Sequence, residues 1–384
     1  MRVPGDDLLG HEGEVGPQAC GKDRLSSAGL AAGVPHPSTA LHLALAPLQP
    51  WLGDSRVTEL CVNRPHEAWI ERHGVGWSCE VLPFASFDWC LRFAKLVANS
   101  TRQRIDETSP LLSAALPSGE RVQMVIPPAT MPGRVAIAIR RPATSVWSLG
   151  ELEAKGMFGE TGQPAERQPR SHGQQEGPSG DAVEWVGVGG NTSAERMAGT
   201  DLAKILAAGV RERLNILVSG ATGSGKTTLT KALIREIDPS ERLISIEDAA
   251  ELSMGSHPNS VQLFYSKDGQ GRASLTPRQL LETCLRLRPD RILLAELRGE
   301  EAFYYLRNVN SGHPGSITSI HASSPKGAID QMVLLVKQSP EGRGLAREDI
   351  RELVMASVDL VIQVDRSAGG ERVVRDVLRC HTAD

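Results

Sequence analysis

The sequence predicts an α/β protein with two domains, a small α+β domain followed by a larger domain of parallel strands with helical crossovers. Three observations support this fold class. The chain has 384 residues, a length that normally forms more than one domain. Beyond residue 200, short apolar segments alternate with amphipathic ones, and a glycine-rich loop follows the first apolar segment. We predict a disordered tail over 1–36, an N-terminal α+β domain over 37–145, a linker over 146–200 and a parallel α/β domain over 201–384.

The N-terminal domain is predicted from short periodic segments. Leucines recur at helical spacing over 39–48, and Pro50 is expected to end that helix. A second helix is predicted over 87–99, and strands over 57–63, 68–71, 121–126 and 135–139. Residues 159–199 are rich in glycine, proline and polar residues, which is typical of a linker or inserted loop. A folded hairpin around 183–188 is the alternative.

The C-terminal domain is predicted to be a RecA-like α/β core. Helices are expected over 202–213 and 228–237, and apolar strands over 214–218, 243–246, 291–294, 316–320 and 360–364. Strands that alternate with helices in this way form parallel sheets, because each crossover helix returns the chain to the same edge.

Composition excludes several functional classes. The net charge is −4 and no long basic run occurs, so direct nucleic-acid binding is not expected. The six cysteines form no C-x-x-C pair, which favours a reducing compartment over a zinc site or a disulfide framework. No run of about 18 apolar residues is present, and the first residues do not resemble a secretory signal. We therefore expect a cytoplasmic protein, compatible with peripheral attachment to a membrane.

The glycine-rich loop is the most specific motif. It matches G-x-x-x-x-G-K-[ST], in which backbone N–H groups and a helix N-terminus bind phosphates. The predicted ATP-binding residues here are Gly220, Ala221, Thr222, Gly223, Ser224, Gly225, Lys226, Thr227 and Thr228. Lys226 is expected to reach the β- and γ-phosphates, and the Thr227 hydroxyl to bind Mg²⁺. A chance glycine-rich turn is the alternative.

Hydrolysis also needs carboxylates near the phosphates, and acids at strand ends supply candidates. Glu247 is predicted to activate water, and Asp248 to hold the water or the metal shell; a helix-capping acid pair is the alternative. Glu296 ends a second apolar strand and is predicted to act on Mg²⁺ or on the attacking water. His321 ends a third and is predicted to contact the γ-phosphate or an acid, although a structural histidine is the commoner case.

These clusters, in this order, resemble the secretion-superfamily ATPases, in particular the traffic ATPases of type IV secretion and conjugation systems. Residues 246–252 look like that family's Asp box, 286–299 like its arginine-flanked Walker B motif and 312–322 like its His box. The N-terminal half is similar at 63–71, 116–121 and 139–142. The linker is longer than the family pattern requires. The tetracysteine module of type II secretion relatives does not occur, which argues against that branch.

The resemblance implies a homohexamer with a nucleotide at each interface between an N- and a C-terminal domain. Arg121, Arg140 and Arg141 would then reach the phosphates, with Arg140 as the first choice; ion-paired surface arginines are the alternative. The implied function is ATP hydrolysis that powers substrate translocation or pilus assembly, with membrane-bound secretion components as partners at the bacterial inner membrane. A pilus assembly or retraction ATPase and a nucleotide-switched scaffold with little turnover remain alternatives.

Overall fold

The computed structural model describes residues 39–141, 146–159, 199–265, 275–367 and 369–380. The predicted tail over 1–36 and most of the predicted linker, 160–198, lie outside these residues. The described chain forms two sheets, each with its own hydrophobic core. Within the described ranges, no helix combines the length and the apolarity that a membrane crossing requires.

The N-terminal sheet has six antiparallel strands in the order β3-β2-β1-β6-β5-β4. Its strands are β1 (Val57–Val62), β2 (Glu67–Arg72), β3 (Gly76–Val81), β4 (Leu111–Ala115), β5 (Arg121–Val125) and β6 (Ala136–Arg140). The accompanying helices are α1 (Thr39–Leu45), α2 (Gln49–Leu52) and α3 (Phe87–Thr101), with a 3₁₀ turn at Ala46–Leu48. The predicted stop at Pro50 is wrong, because proline is tolerated in the first turn of a helix and Pro50 lies in the first turn of α2.

One face of this sheet is buried and the other is open. Leu60, Ile70, Val122 and Ile139 are at most 2% exposed and pack beneath α3. The alternate residues point to the opposite face, as the two-residue period of a strand requires. Strand register places Arg121, Arg140 and Glu59 in one row across β5, β6 and β1. This row faces the cavity described below.

The C-terminal sheet has seven strands in the order β13-β12-β7-β11-β10-β8-β9 and is parallel except for the β12–β13 hairpin. Its strands are β7 (Ile216–Ser219), β8 (Leu243–Glu247), β9 (Ser260–Phe264), β10 (Arg291–Leu297), β11 (Ile317–Ile320), β12 (Leu360–Arg366) and β13 (Arg372–Arg379). Its helices are α5 (Gly199–Arg211), α6 (Lys226–Ile234), α7 (Pro277–Cys284), α8 (Glu301–Asn310), α9 (Pro325–Val336) and α10 (Arg347–Ser357). The parallel core bears out the α/β prediction.

Residues 146–159 differ from the predicted linker. A short helix, α4 (Leu149–Ala154), begins with a capping box in which Ser148 and Glu151 satisfy each other's backbone N–H groups. Met157 and Phe158 are buried in the same core as α5, and the Met157 carbonyl accepts a hydrogen bond from Val374 N in β13. This segment is therefore part of the C-terminal core.

Candidate nucleotide-binding site

The glycine-rich loop joins the buried strand β7 to helix α6, as the motif requires. Gly225 caps α6 with a φ of 110°, a left-handed conformation that favours glycine. A Cβ atom at Gly220 would lie 2.3 Å from the Val364 carbonyl oxygen, so only glycine fits there. The loop therefore has the close backbone approach that presents N–H groups to phosphates.

Lys226 lies inside this loop. Its Nζ donates hydrogen bonds to the carbonyls of Gly220 (2.8 Å) and Ala221 (3.1 Å) and lies 3.2 Å from Nδ1 of His321. Burial lowers the pKa of the Lys226 ammonium to about 8, although the Glu296 carboxylate opposes that shift. The ammonium is thus poorly solvated, and its two hydrogen-bond acceptors in the loop are backbone carbonyls, which suits it to an incoming anion.

A cavity of about 750 Å³ separates the loop from the open face of the N-terminal sheet. Most of the predicted site residues line it: Arg121, Arg140, Arg141, Ala221, Thr222, Gly223, Gly225, Lys226, Thr227, Thr228, Asp248, Glu296 and His321. Gly220, Ser224 and Glu247 do not line it. Basic side chains in its wall outnumber acidic ones, so the cavity attracts a polyanion such as a nucleoside triphosphate.

Glu296 lies between Arg298 and His321 and contacts both. Its carboxylate pairs with Nη2 of Arg298 at 2.5 Å and with Nε2 of His321. Burial alone would raise the pKa of Glu296, but the His321 hydrogen bond and the Arg298 charge lower it to about 2. The carboxylate is therefore ionised at neutral pH. His321 contacts both Glu296 and Lys226.

The predicted phosphate-binding arginines have different surroundings. Arg121 forms ion pairs with both Asp248 and Glu251, and thereby joins β5 to the end of β8. Arg140 is exposed to the cavity, and its charge contributes to the lowered pKa of Lys226. Arg141 donates to the backbone carbonyl of Asp54, so part of its hydrogen-bonding capacity is already used.

Glu247 requires a correction. It is fully buried, and its carboxylate accepts hydrogen bonds from Ser245 Oγ (2.6 Å) and from the backbone N–H groups of Glu251 and Leu252 (2.8 Å each). Gln262 Nε2 also donates to this carboxylate at 3.0 Å. This geometry organises the turn after β8 and leaves no oxygen facing the cavity, so it does not support water activation by Glu247.

Glu251, four residues later, does face the cavity. It lines the cavity, and its Oε2 lies 3.4 Å from the Thr227 hydroxyl. Sequence reasoning missed it, although it belongs to the acidic box at 246–252. Arg298, two residues after Glu296, was also missed as a site residue; it pairs with both Glu296 and Asp248.

The three side chains predicted to bind magnesium, Thr227, Asp248 and Glu296, all carry oxygen atoms as possible ligands. Mg²⁺ prefers a few carboxylates plus substrate phosphates over an all-protein cage. No group of three metal-binding side chains occurs in the described part of the chain. The Thr227 hydroxyl and the carboxylates of Asp248 and Glu296 nevertheless face one cavity.

The fold and this cavity define a P-loop nucleoside triphosphatase. The family model described as "Type II/IV secretion system protein" matches residues 190–369. The type IV secretion system protein VirB11 of Bartonella quintana is 44% identical over 330 residues, covering 86% of this chain and 90% of that protein. VirB11 of Brucella suis is 38% identical over 329 residues, covering 85% of this chain and 86% of that protein.

The chain therefore belongs to the VirB11 family of type IV secretion system ATPases. A crystal structure of the pilus retraction motor PilT with bound ADP is similar with a TM-score of 0.54, at 18% identity, covering 88% of this chain and 83% of that one. That likeness shows the shared fold.

Proposed function

We propose that this chain hydrolyses ATP in the cavity between its two sheets and uses the reaction to power substrate transfer through a type IV secretion system. The observation that carries the proposal is the shared cavity, in which Lys226 and the acids of the C-terminal sheet face arginines of the N-terminal sheet. Membership of the VirB11 family supports it.

The site residues have separate roles in this proposal. The loop amides and Lys226 bind the phosphates, and Arg140 adds positive charge as the γ-phosphate departs. Glu296 orients the attacking water; a carboxylate with a pKa of about 2 is a weak base, so positioning is its main contribution. His321 holds Glu296 beside Lys226.

Magnesium would supply charge neutralisation at the β- and γ-phosphate oxygens. The Thr227 hydroxyl would bind it, with Glu296 and Asp248 as further ligands directly or through water. Each of these side chains already has a partner within hydrogen-bonding reach, namely Glu251, Arg298 or His321. Those partners keep the oxygens oriented before the nucleotide arrives.

Arg121 links hydrolysis to movement. It now binds Asp248 and Glu251, and an incoming γ-phosphate competes with those carboxylates for its guanidinium. An exchange of partners would change the contact between the two sheets in every catalytic cycle. Such an exchange is how a change at one phosphate becomes a rearrangement between rigid parts.

Replacement of Lys226 tests the catalytic proposal. Lys226→Ala removes the ammonium from the loop, and we expect turnover of Mg-ATP to fall by at least about 100-fold. Lys326→Ala removes an exposed lysine from the start of α9, outside the cavity, and is the matched control. Equal ATPase rates for Lys226→Ala and the wild-type protein would contradict the proposal and would favour a scaffold role.

We further propose a homohexameric ring that acts at the inner membrane with membrane-bound secretion components, without direct contact to nucleic acid. The family relationship supports this assembly. The mass of the protein in solution with Mg²⁺ and a non-hydrolysable ATP analogue tests it: a sixfold species is expected, and a monomer at all concentrations would contradict the ring.

A further inference from the structure

The β12–β13 hairpin carries two arginines that the site described above does not use. Arg366 ends β12 and Arg372 begins β13, and the two are direct partners in the strand register. Like charges in directly opposed positions destabilise a hairpin unless something compensates them. Both residues line the cavity, so the compensation can come from a ligand.

Arg372 packs against the start of helix α6. A Cβ atom at Gly225 would lie 2.8 Å from the Cδ of Arg372, and Nη1 of Arg372 donates to the Thr228 hydroxyl at 3.3 Å. Successive helical residues point about 100° apart. Thr227 points towards Glu251, and Thr228, the next residue, points towards Arg372. Arg372 therefore covers a different side of the first turn from Glu251.

The charge of Arg372 is compensated only in part, because the Glu71 carboxylate that acts on it also pairs with Arg366. Arg366 pairs with Glu71 at 3.6 Å and donates to the Gly223 carbonyl at 3.1 Å. Arg372, in contrast, forms no ion pair with any carboxylate of residues the structure describes. Burial, and then the charges of Arg366 and Arg140, lower its pKa. A half-buried guanidinium among other cations is costly unless an anion joins it.

We propose that Arg372 is a further nucleotide-binding residue that holds the phosphate nearest the nucleoside, while Arg366 fixes the loop beside it. The inference rests on the proposed nucleotide site. Lys226 and Thr227 account for the β- and γ-phosphates. The remaining phosphate lies along the first turn of α6, on the side that Arg372 covers. A guanidinium binds two phosphate oxygens at once, which also orients the nucleoside.

The test measures binding rather than turnover. The affinity for a fluorescent ADP analogue, N-methylanthraniloyl-ADP, is compared among wild-type protein, Arg372→Gln, Lys226→Ala and Arg379→Gln. Arg379 lies at the far end of the same strand, outside the cavity, and its replacement removes the same charge. We expect Arg372→Gln to weaken binding at least about tenfold and Arg379→Gln to leave it unchanged.

Two further readouts separate the possible causes. Inorganic tripolyphosphate should bind Arg372→Gln more weakly than it binds wild-type protein, because the lost contact is to phosphate. Its inhibition constant, measured by displacement of the fluorescent analogue, should therefore be higher for the variant. The unfolding midpoint of Arg372→Gln without nucleotide should equal or exceed that of the wild type, because a repulsive contact is removed.

The possible results distinguish the role of Arg372 from the nucleotide site itself. Unchanged affinity in Arg372→Gln, full competition by tripolyphosphate, or a lowered unfolding midpoint that accounts for the weaker binding would overturn the role of Arg372. Failure of the wild-type protein to bind the analogue, or equal binding by Lys226→Ala, would instead overturn the proposed nucleotide site, and the inference with it.

Discussion

Lys226 shows how burial prepares a single residue for its ligand. In the structure its ammonium has exchanged water for two loop carbonyls and His321. Neutral acceptors compensate a charge less well than phosphate oxygens do, which is why burial lowers its pKa to about 8. Bound phosphates would raise that pKa again, so nucleotide binding and protonation of Lys226 are linked.

This linkage predicts proton uptake. Lys226 is fully charged well below its pKa and partly neutral above it, so nucleotide binding should take up a fraction of a proton at about pH 8.5 and none from this group at about pH 6.5. Calorimetric titration of ADP in buffers of different ionisation enthalpy measures the uptake. No uptake at the higher pH, with binding intact, would contradict the pKa and its cause.

Glu247 and Glu251 are close in sequence but have opposite surroundings. Glu247 is fully buried and binds backbone N–H groups, whereas Glu251 lines the cavity beside Thr227. Glu247→Gln should therefore lower the free energy of unfolding by about 2 kcal/mol, because charge-assisted hydrogen bonds are lost.

Glu251→Gln should lower turnover by at least about tenfold with little change in stability. Denaturant unfolding and ATPase assays on both variants measure the two effects. The reverse pattern, with Glu247→Gln inactive but fully stable, would restore Glu247 as the acid that activates water.

At the scale of elements, α4 and the residues after it contribute to the C-terminal core. Phe158 is 1% exposed and packs in the same cluster as Leu206 and Leu229. Phe158→Ala should lower the free energy of unfolding by about 3–5 kcal/mol through lost burial and a cavity. Lys155→Ala, an exposed change in the same segment, removes a cation–π contact with Trp147 and should alter it by less than about 1 kcal/mol. Similarly small changes in the free energy of unfolding for both variants would show that this segment behaves as a linker.

Elements with a clear local pattern of apolar residues and glycines could be predicted from the sequence. The P-loop strand and helix follow from glycines at fixed spacing between apolar segments, and β7 and α6 lie within two or three residues of the predictions. The four edge strands β3, β4, β9 and β13 were missed; in β3, for example, Trp77 and Val81 point outwards, and β13 contains three arginines. Edge and half-exposed strands lack the apolar pattern that prediction relies on.

The misplacement of Glu247 has a different origin. Glu247 is the last residue of the fully buried strand β8, and its carboxylate binds the backbone of the turn that follows, whereas Asp248 and Glu251, just beyond the strand, line the cavity. The arginines of the β12–β13 hairpin were also beyond prediction, because no motif contains them and only the antiparallel return of β13 brings Arg372 to Gly225. Motif residues were predictable, and residues brought in by topology were not.

In the whole molecule, the two sheets meet around one polar cavity. Ion pairs join them at both ends: Arg121 binds Asp248 and Glu251, and Arg366 lies 3.6 Å from Glu71. The same arginines are within reach of the cavity, so a polyanion there competes with these contacts. We propose that ATP binds in this cavity and that phosphate replaces the protein carboxylates as the partner of Arg121.

A structure of the protein with Mg²⁺ and a non-hydrolysable ATP analogue tests this claim most directly. We expect the phosphates on the loop between Gly220 and Thr228, with Arg121 released from Asp248 and Glu251 and directed towards the γ-phosphate. A nucleotide bound elsewhere, or Arg121 still held by both carboxylates beside a fully occupied loop, would contradict it.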